Sequence, residues 1–373
     1  MSAFTQEDRN MLADSLNRFV EEAYDGERRF AILKSDDGFG RQEWATYAEL
    51  GWLGIAIDER HGGSGGGLAE LAVLMRAAGR GLLMEPLLPT LILAAGAISQ
   101  GGSAEQKALW LPAIAEGRAI LTLAQDDAAQ DAAPVTATKA GDDYILSGQR
   151  GFVLYGAAAD RIIVKADLAG NTALFLVPPT AHGVSLAHAR SIDDRPVADL
   201  VLDNVRVAAG DCLPGGDARL LESLNQTAAL AVCAEAVGAM EIANRLTLDY
   251  LKTRTQFGTT IGSFQVPQHR MVDMTLAAQE AAAITWAAIG AASVQAPDAD
   301  LLTAAAKARS AAAARLIGEQ AIQLHGGIGM TEEYVIGHYY RRLMLLETLF
   351  GGAGWHLDRL GGWTAAGMAE GSV

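Results

Sequence analysis

Two short motifs in the second half of the chain combine residue types that bind phosphate groups. The first is RTQFG at residues 254–258, and the second is QLHGGIGM at residues 323–330. The planar guanidinium of Arg254 can make paired, charge-assisted hydrogen bonds to phosphate oxygens. A Gly-Gly pair lets backbone N–H groups approach such oxygens, because no Cβ stands in the way. Either motif alone is a weak indication, since a loop arginine can pair with a surface carboxylate and a glycine pair can simply end a helix.

The elements that would position these motifs divide the chain into three segments. Residues 1–118 show helical periodicity, residues 119–212 contain short apolar runs separated by turn residues, and residues 213–373 form long, alanine-rich helices. Four helices are predicted in the last segment, over about 220–252, 267–294, 298–326 and 331–349. The sequence therefore predicts an α+β fold with an N-terminal helical domain, a middle β-barrel or sandwich domain and a C-terminal four-helix bundle.

Composition limits the classes of function. Half of the 373 residues are apolar and a fifth are charged, which is typical of a globular protein with ample core. The net charge of -15 argues against nucleic acid and anionic membranes as partners. The two cysteines, Cys212 and Cys233, have no metal-ligand spacing, so no metal site is predicted. The first ten residues do not resemble a signal peptide, and the apolar run 87–98 is too short to span a membrane, so we expect a cytoplasmic protein.

Taken together, the two motifs and the order of the elements resemble the acyl-CoA dehydrogenase family over essentially the full length. Three N-terminal stretches are also similar to that family, at residues 51–55, 62–65 and 105–117. The resemblance implies FAD as the cofactor and α,β-desaturation of an acyl-CoA thioester as the reaction. It also implies electron-transferring flavoprotein as the electron acceptor, and a dimer or tetramer of identical or different subunits.

The resemblance also assigns residues to the cofactor. The FAD-binding residues that it implies are Arg254, Gln256, Phe257, Gln265, Gln323, Gly326, Gly327, Phe152 and Leu154. In the family, the motif arginine reaches the pyrophosphate of FAD bound to a neighbouring subunit, which gives this role to Arg254. Phe152 can cover a face of the flavin ring. Leu154 stands where the family has a threonine, and it cannot donate that side-chain hydrogen bond. The flavin loop at residues 124–131 is altered as well, and His325 is interpreted as a packing residue.

The family's catalytic carboxylate is missing from both positions where the family places it. Those positions hold Phe350 and Ala228, and neither side chain can take a proton. The family's reaction removes a proton from the carbon next to the thioester while a hydride leaves the next carbon for the flavin. A carboxylate suits this task because desolvation beside an acyl chain raises its pKa toward neutrality.

Three other carboxylates are candidates for the base. Glu235 lies on the apolar stripe of a predicted helix, and it is the candidate that we assign. The alternative for Glu235 is a buried carboxylate that pairs with an arginine. Glu347 is interpreted as a partner of Arg341 or Arg342, and Asp127 as a solvated residue of the altered loop.

The pattern resembles a subgroup described as pimeloyl-type small subunits, which includes relatives from steroid and dicarboxylate catabolism. Some of these work as heteromers, in which one chain supplies the base and the other supplies cofactor and interface contacts. We therefore expect a subunit of this kind. Two alternatives stay open: a flavin monooxygenase or nitroalkane-oxidase-like enzyme on the same fold, and a non-catalytic structural subunit.

Overall fold

A computed structural model describes residues 4–24, 26–125 and 134–370, with side chains as far as residue 362. Its first segment is helical, as predicted. The helices are α1 (Gln6–Glu22), α2 (Gly26–Leu33), α3 (Arg41–Glu49), α4 (Leu68–Gly81), α5 (Ala95–Gly101) and α6 (Ala104–Ala115), and a π-helical segment (Leu88–Ala94) precedes α5. Every residue of that π-helical segment is buried, so the apolar run 87–98 belongs to the core.

The middle segment is a single mixed sheet. Its strands are β1 (Leu121–Ala124), β2 (Thr136–Ala140), β3 (Asp143–Leu154), β4 (Arg161–Leu168), β5 (Asn171–Val177), β6 (Val184–Arg190) and β7 (Pro196–Val207). The strand order is β1-β4-β2-β3-β7-β6, and β5 pairs with β4. Strand β4 runs parallel to β1 and β2, whereas the remaining pairs are antiparallel. The predicted α+β class is confirmed.

The C-terminal segment begins with α7 (Ala218–Thr253) and a hairpin of β8 (Thr255–Gln256) and β9 (Thr259–Thr260). Four helices follow, namely α8 (Gln265–Ser293), α9 (Ala299–His325), α10 (Ile336–Thr348) and α11 (Ala353–Glu370). Helices α7 to α9 begin and end within two residues of the predicted limits. Helix α10 starts five residues later than predicted, because a short 3₁₀ helix (Gly326–Met330) and a turn precede it.

Helix α11 was not predicted. Its glycines lower the intrinsic helix propensity of the segment, so propensity did not indicate a helix there. The bundle of four predicted helices thus has a fifth helix beside it, and α11 packs on α9.

Within the described residues, α7 alone is long and apolar enough to cross a membrane. However, 83% of its apolar window is buried inside the protein, as expected for a core helix. The N-terminal helices and the C-terminal bundle share one hydrophobic core, and the sheet has a second core of its own. The division into domains at residues 118 and 212 stays a prediction, although the breaks between α6 and β1 and between β7 and α7 lie close to it.

Helices α4 and α7 cross at a pair of glycines. A Cβ on Gly79 would lie 1.9 Å from the backbone oxygen of Glu235, and a Cβ on Gly238 would lie 1.9 Å from that of Arg76. No side chain fits at either position unless the helices move apart. This crossing sets the position of α7 against the N-terminal helices.

We predict that Gly238→Ala lowers the melting temperature, because the added methyl group forces α4 away from α7. Overpacking of this kind costs on the order of 1–3 kcal/mol. Gly290→Ala on α8 is the matched control, since a Cβ there meets open space and alanine favours the helix. Equal melting temperatures for the two variants would show that the helices do not cross as described.

Candidate functional site

A cavity of about 320 Å³ lies between the sheet and the helices. Its walls come from β1, β3, the π-helical segment, the first turns of α7, and the segment that joins α10 to α11. The apolar part of the wall includes Leu93, Leu123, Phe152, Leu154, Phe350 and Trp355. The structure thus brings the two predicted flavin contacts of the sheet to the position where the family keeps its base.

An irregularity in β3 directs Phe152 and Leu154 toward this cavity. The register of β3 against β7 shifts between Arg150 and Val153, and Phe152 has a positive φ of 56°. The N–H of Phe152 donates to Oδ1 of Asp199 at 3.1 Å. A bulge of this type bends a strand and re-aims its side chains, which explains how neighbouring residues of β3 reach the cavity.

The Phe350 segment is held by a buried lysine. Lys307 of α9 is 1% exposed, and its Nζ donates to the carbonyl oxygens of Leu346, Glu347 and Gly351 at 3.2, 2.8 and 2.8 Å. It therefore satisfies carbonyls at the end of α10 that have no partner within the helix. Burial lowers the pKa of Lys307. The sequence analysis did not identify Lys307. The feature that could have indicated its role is a single lysine within an alanine-rich helix.

The described walls of the cavity offer no group that could take a proton at neutral pH. Among the lining residues within the described ranges there is no Asp, Glu, His, Lys, Cys or Tyr. Ala228 is fully buried, one helical turn beyond the lining residue Asn225. Asp127 and most of the altered flavin loop lie outside the described residues.

Glu235 is fixed by two arginines. Both of its oxygens accept hydrogen bonds from Arg342, each at 2.7 Å, and Arg195 lies 3.8 Å away. Arg342 also donates to Asp193 at 2.9 Å, and Arg195 pairs with the same carboxylate. Burial disfavours the charge of Asp193, but the two arginines outweigh it, and the pKa of Asp193 lies below its usual value.

Glu235 lines a small space behind the cavity, and Leu154 and Leu349 line both. The geometry favours a structural role for this carboxylate, although its assignment as the base stays a prediction. Glu347 does not pair with Arg341 or Arg342, so that interpretation was wrong. Its Oε1 accepts from Arg315 at 2.6 Å, because α9 packs beside α10.

The remaining predicted residues form a second group, at the far end of the bundle. Helices α7, α8 and α9 run up and down, so the end of α7, the start of α8 and the end of α9 coincide. The ring of Tyr250 on α7 stacks on His325 of α9 at 4.5 Å, which confirms the arrangement and the packing role of His325. The members of this group are all exposed: Arg254, Gln256, Phe257, Gln265, Gln323, Gly326 and Gly327.

The two groups are too far apart to serve one cofactor molecule within a chain. Asn225 lines the cavity near the start of α7, and Arg254 follows its end. With a rise of 1.5 Å per residue, these positions are about 43 Å apart. An extended FAD molecule is shorter than that.

Several features of the residues present fit FAD. Oε1 of Gln125 is a buried acceptor in the cavity wall without a donor among the described residues, and an N–H of a flavin ring would satisfy it. The Nε2 of Gln125 donates to Asn225 at 2.8 Å, which fixes the amide. In the described part of the chain, no carboxylate pairs with Arg254, so its guanidinium is available to a diphosphate.

Comparison with known proteins identifies the class. Residues 6–118 match the family model described as acyl-CoA dehydrogenase, N-terminal domain, and residues 216–362 match acyl-CoA dehydrogenase, C-terminal domain. The fold and the site therefore define an FAD-dependent oxidoreductase. The chain belongs to the acyl-CoA dehydrogenase family.

Three relatives illustrate the similarity. Acyl-CoA dehydrogenase FadE27 of Mycobacterium tuberculosis is 30% identical over 371 residues, covering 97% of this chain and 98% of the relative. The ChsE4-ChsE5 complex from Mycobacterium tuberculosis has a TM-score of 0.91 at 28% identity, covering 98% of this chain and 99% of that one. A variant of the Tcur3481-Tcur3483 steroid ACAD has a TM-score of 0.89 at 31% identity, covering 97% and 99%.

We predict that Glu235→Gln destabilises the protein strongly, because it leaves a buried guanidinium without its full counter-charge. Removing one partner of a buried ion pair costs about 3–5 kcal/mol. Glu241→Gln is the matched control, since Glu241 also lies on α7 and pairs with Arg76 and Arg80 but is 29% exposed. Thermal unfolding measures both variants, and an equal, small loss would contradict the structural role of Glu235.

Proposed function

We propose that this chain is the FAD-binding subunit of a heteromeric acyl-CoA dehydrogenase whose catalytic base comes from a different chain. The observation that carries the proposal is Phe350, an apolar side chain at the base position of a cavity whose described walls hold no proton acceptor. Relatives with similar structures include ChsE4-ChsE5 and Tcur3481-Tcur3483, each named for two proteins. The substrate would be an acyl-CoA from lipid or steroid catabolism, and an electron-transferring flavoprotein in the cytoplasm would accept the electrons.

The exposed group at the far end of the bundle supports assembly. Phe257 is 92% exposed and Met330 is 82% exposed, with Phe264, Val266 and Ile328 also exposed. An apolar patch of this kind marks an interaction surface. Because Arg254 is in the same group, the surface would cover the diphosphate of an FAD whose ring lies in a second chain. The assembly is a dimer or tetramer in this proposal.

FAD, when bound, supplies a two-electron acceptor for the hydride. Residues of this chain would hold the FAD molecule. Phe152 covers one face of the ring, Gln125 accepts a hydrogen bond, and Arg254 neutralises the diphosphate. The apolar wall around Phe350 excludes water, which raises the pKa of a carboxylate that enters such a site. No described residue of the wall moves a proton.

The first experiment compares the purified chain with its co-purified complex. A second acyl-CoA dehydrogenase chain that carries a glutamate at the position of Phe350 is co-expressed as the candidate partner, and desaturation of acyl-CoA is measured with an electron-transferring flavoprotein. We expect the complex to be at least about 100-fold faster than the single chain, since a general base contributes that much. Full activity of the single chain would disprove the heteromer. Loss of that activity in Asp127→Asn would then place the base in the altered loop.

The same assay separates the alternatives. A flavin monooxygenase would consume oxygen in the presence of reduced flavin and would not need an electron-transferring flavoprotein. A structural subunit would purify without the flavin absorbance bands, both alone and in the complex. We expect flavin bands and electron transfer, with little oxygen consumption.

We predict that Arg254→Gln lowers the FAD affinity of the assembled protein by about 10–100-fold, because charge-assisted hydrogen bonds to the diphosphate are lost. Lys252→Gln is the control, since Lys252 is an exposed cation two residues away. Flavin fluorescence titration measures the dissociation constants. If both variants bind FAD equally well, Arg254 does not hold the cofactor.

We predict that Phe350→Glu gives the chain a measurable desaturase activity, because it places a carboxylate at the wall of the apolar cavity. The rate is expected to exceed that of Phe350→Gln by at least about 100-fold, the usual contribution of a general base. Phe350→Gln has nearly the same shape but cannot take the proton. Equal rates in the two FAD-loaded variants would show that the cavity is not the place of reaction.

A further inference from the structure

A second cavity, of about 300 Å³, lies at the seam between the N-terminal helices and the C-terminal bundle. It is enclosed by α1, α2, the end of α4, α7 and the start of α10. Three arginines line it, one from each of three elements: Arg29 of α2, Arg80 of α4 and Arg245 of α7. None of these residues belongs to the cofactor groups described above.

Arg29 is a buried cation that forms no ion pair within the described part of the chain. It is 5% exposed, its Nε donates to the carbonyl of Leu82 at 3.4 Å, and its Nη2 lies 4.0 Å from the sulfur of Met84. No carboxylate of the described residues pairs with it. By contrast, the buried Arg195 and Arg342 both pair with carboxylates. Burying a charge costs free energy unless a partner of opposite charge compensates it. An anion bound in this cavity would therefore stabilise the guanidinium of Arg29.

The other charges around the cavity leave it positive. Arg80 pairs with Glu241 at 2.9 Å, whereas Arg245 forms no ion pair with the described residues. Glu21 is the one acidic residue of the described lining, and it is exposed. With Arg80 neutralised by Glu241, the guanidiniums of Arg29 and Arg245 exceed Glu21 by one positive charge. This excess is local, because the chain as a whole has a net charge of -15.

We infer that this cavity binds a small organic anion, with its phosphate or carboxylate group between Arg29 and Arg245 and its apolar part against Val20, Leu82 and Ile242. Guanidinium groups bind both oxyanions through paired hydrogen bonds. The volume lies at the lower end of the range for small-molecule sites. The ligand would join the N-terminal helices to α7 and α10.

The ionisation of Arg29 is consistent with this site. Burial, and secondly the charge of Arg195, lower the pKa of Arg29 to about 10. The side chain is therefore still a cation at neutral pH, and a bound anion would stabilise its charge.

The cavity is distinct from the site of the flavin ring. Asn225 lines the first cavity, beside Phe152 and Phe350, and Arg245 lines the second. The two residues are 20 positions apart on α7, which corresponds to about 30 Å along the helix. Arg254 is nine residues further on, so the diphosphate site needs its own control in any binding experiment.

The test uses FAD-saturated protein at constant ionic strength, with the melting temperature as the readout. Inorganic phosphate, adenosine 5′-diphosphate and butyrate are titrated separately, and chloride is the reference anion. A ligand that binds only the folded state raises the melting temperature in a saturable way. We expect such a rise for at least one phosphate or carboxylate probe, and the responding probes identify the anionic group.

Two variants locate the effect. Arg29→Gln and Arg245→Gln are each expected to weaken binding at least about 10-fold, as expected for the loss of a charge-assisted hydrogen bond. Arg60→Gln is the control, because Arg60 is an exposed arginine outside the cavity. Arg245 is exposed, so Arg245→Gln tests the site even if Arg29→Gln does not fold.

Two outcomes would overturn the inference. One is the absence of a saturable rise with all three probes. The other is a rise that persists unchanged in Arg245→Gln; if that rise disappears in Arg254→Gln, the probe occupies the diphosphate site instead.

Discussion

The arrangement of the bundle on the sheet depends on one buried group of charges. Arg342 of α10 bonds both Glu235 of α7 and Asp193 of the loop before β7, and Arg195 of that loop pairs with the same Asp193. Two positive and two negative charges cancel in a place where water is excluded. Such networks are stable only when every member keeps its geometry. They therefore fix the relative positions of bundle and sheet more than they add to net stability. The cavity lined by Phe350 shares Leu154 and Leu349 with the small space that Glu235 lines.

The backbone around the base position is held independently of the side chain that occupies it. Phe350 has a positive φ of 59°, which is unfavourable for a phenylalanine. The bonds that hold this conformation go to main-chain oxygens: Lys307 binds that of Gly351, and His356 lies 3.0 Å from that of Phe350. Because these contacts do not involve the side chain, a carboxylate and a phenyl ring can occupy the same backbone frame.

The helices of the bundle and the motif residues could be predicted from the sequence, because each depends on residues that are close together in the chain. Helices α7 to α9 are long, alanine-rich runs, Pro297 and the Gly326-Gly327 pair lie just beyond the ends of α8 and α9, and the residues within each motif are close together in the sequence. The structure separates the predicted cofactor residues into two groups, and their contact with FAD stays a prediction. The sequence could not show that about 43 Å separates them, because the position of Phe152 and Leu154 beside the start of α7 depends on how the sheet packs on the bundle.

What the sequence could not show depends on contacts between distant residues. The partner of Glu347 is Arg315, not Arg341 or Arg342, because α9 lies beside α10. Lys307 looks like a solvent-exposed lysine until its position under the end of α10 is known. Arg29 and Arg245 are 216 residues apart in the chain, and only the tertiary fold places both in the wall of one cavity. Pairings of this type are set by tertiary packing, which leaves no periodic trace in the sequence.

The exposure of Arg254 connects cofactor binding to assembly. An ion pair in contact with bulk water contributes about 0–1 kcal/mol, because the high dielectric constant and dissolved salt weaken it. A diphosphate held by Arg254 on the free chain would therefore be bound weakly. If a second chain covers the apolar surface around Phe257 and Met330, water leaves, and the same charges interact much more strongly. FAD would then stabilise the assembly as much as the assembly stabilises FAD, since each binds the state that the other favours. In the proposed assembly, the exposed end of the bundle would therefore be half of a binding site rather than a solvated surface.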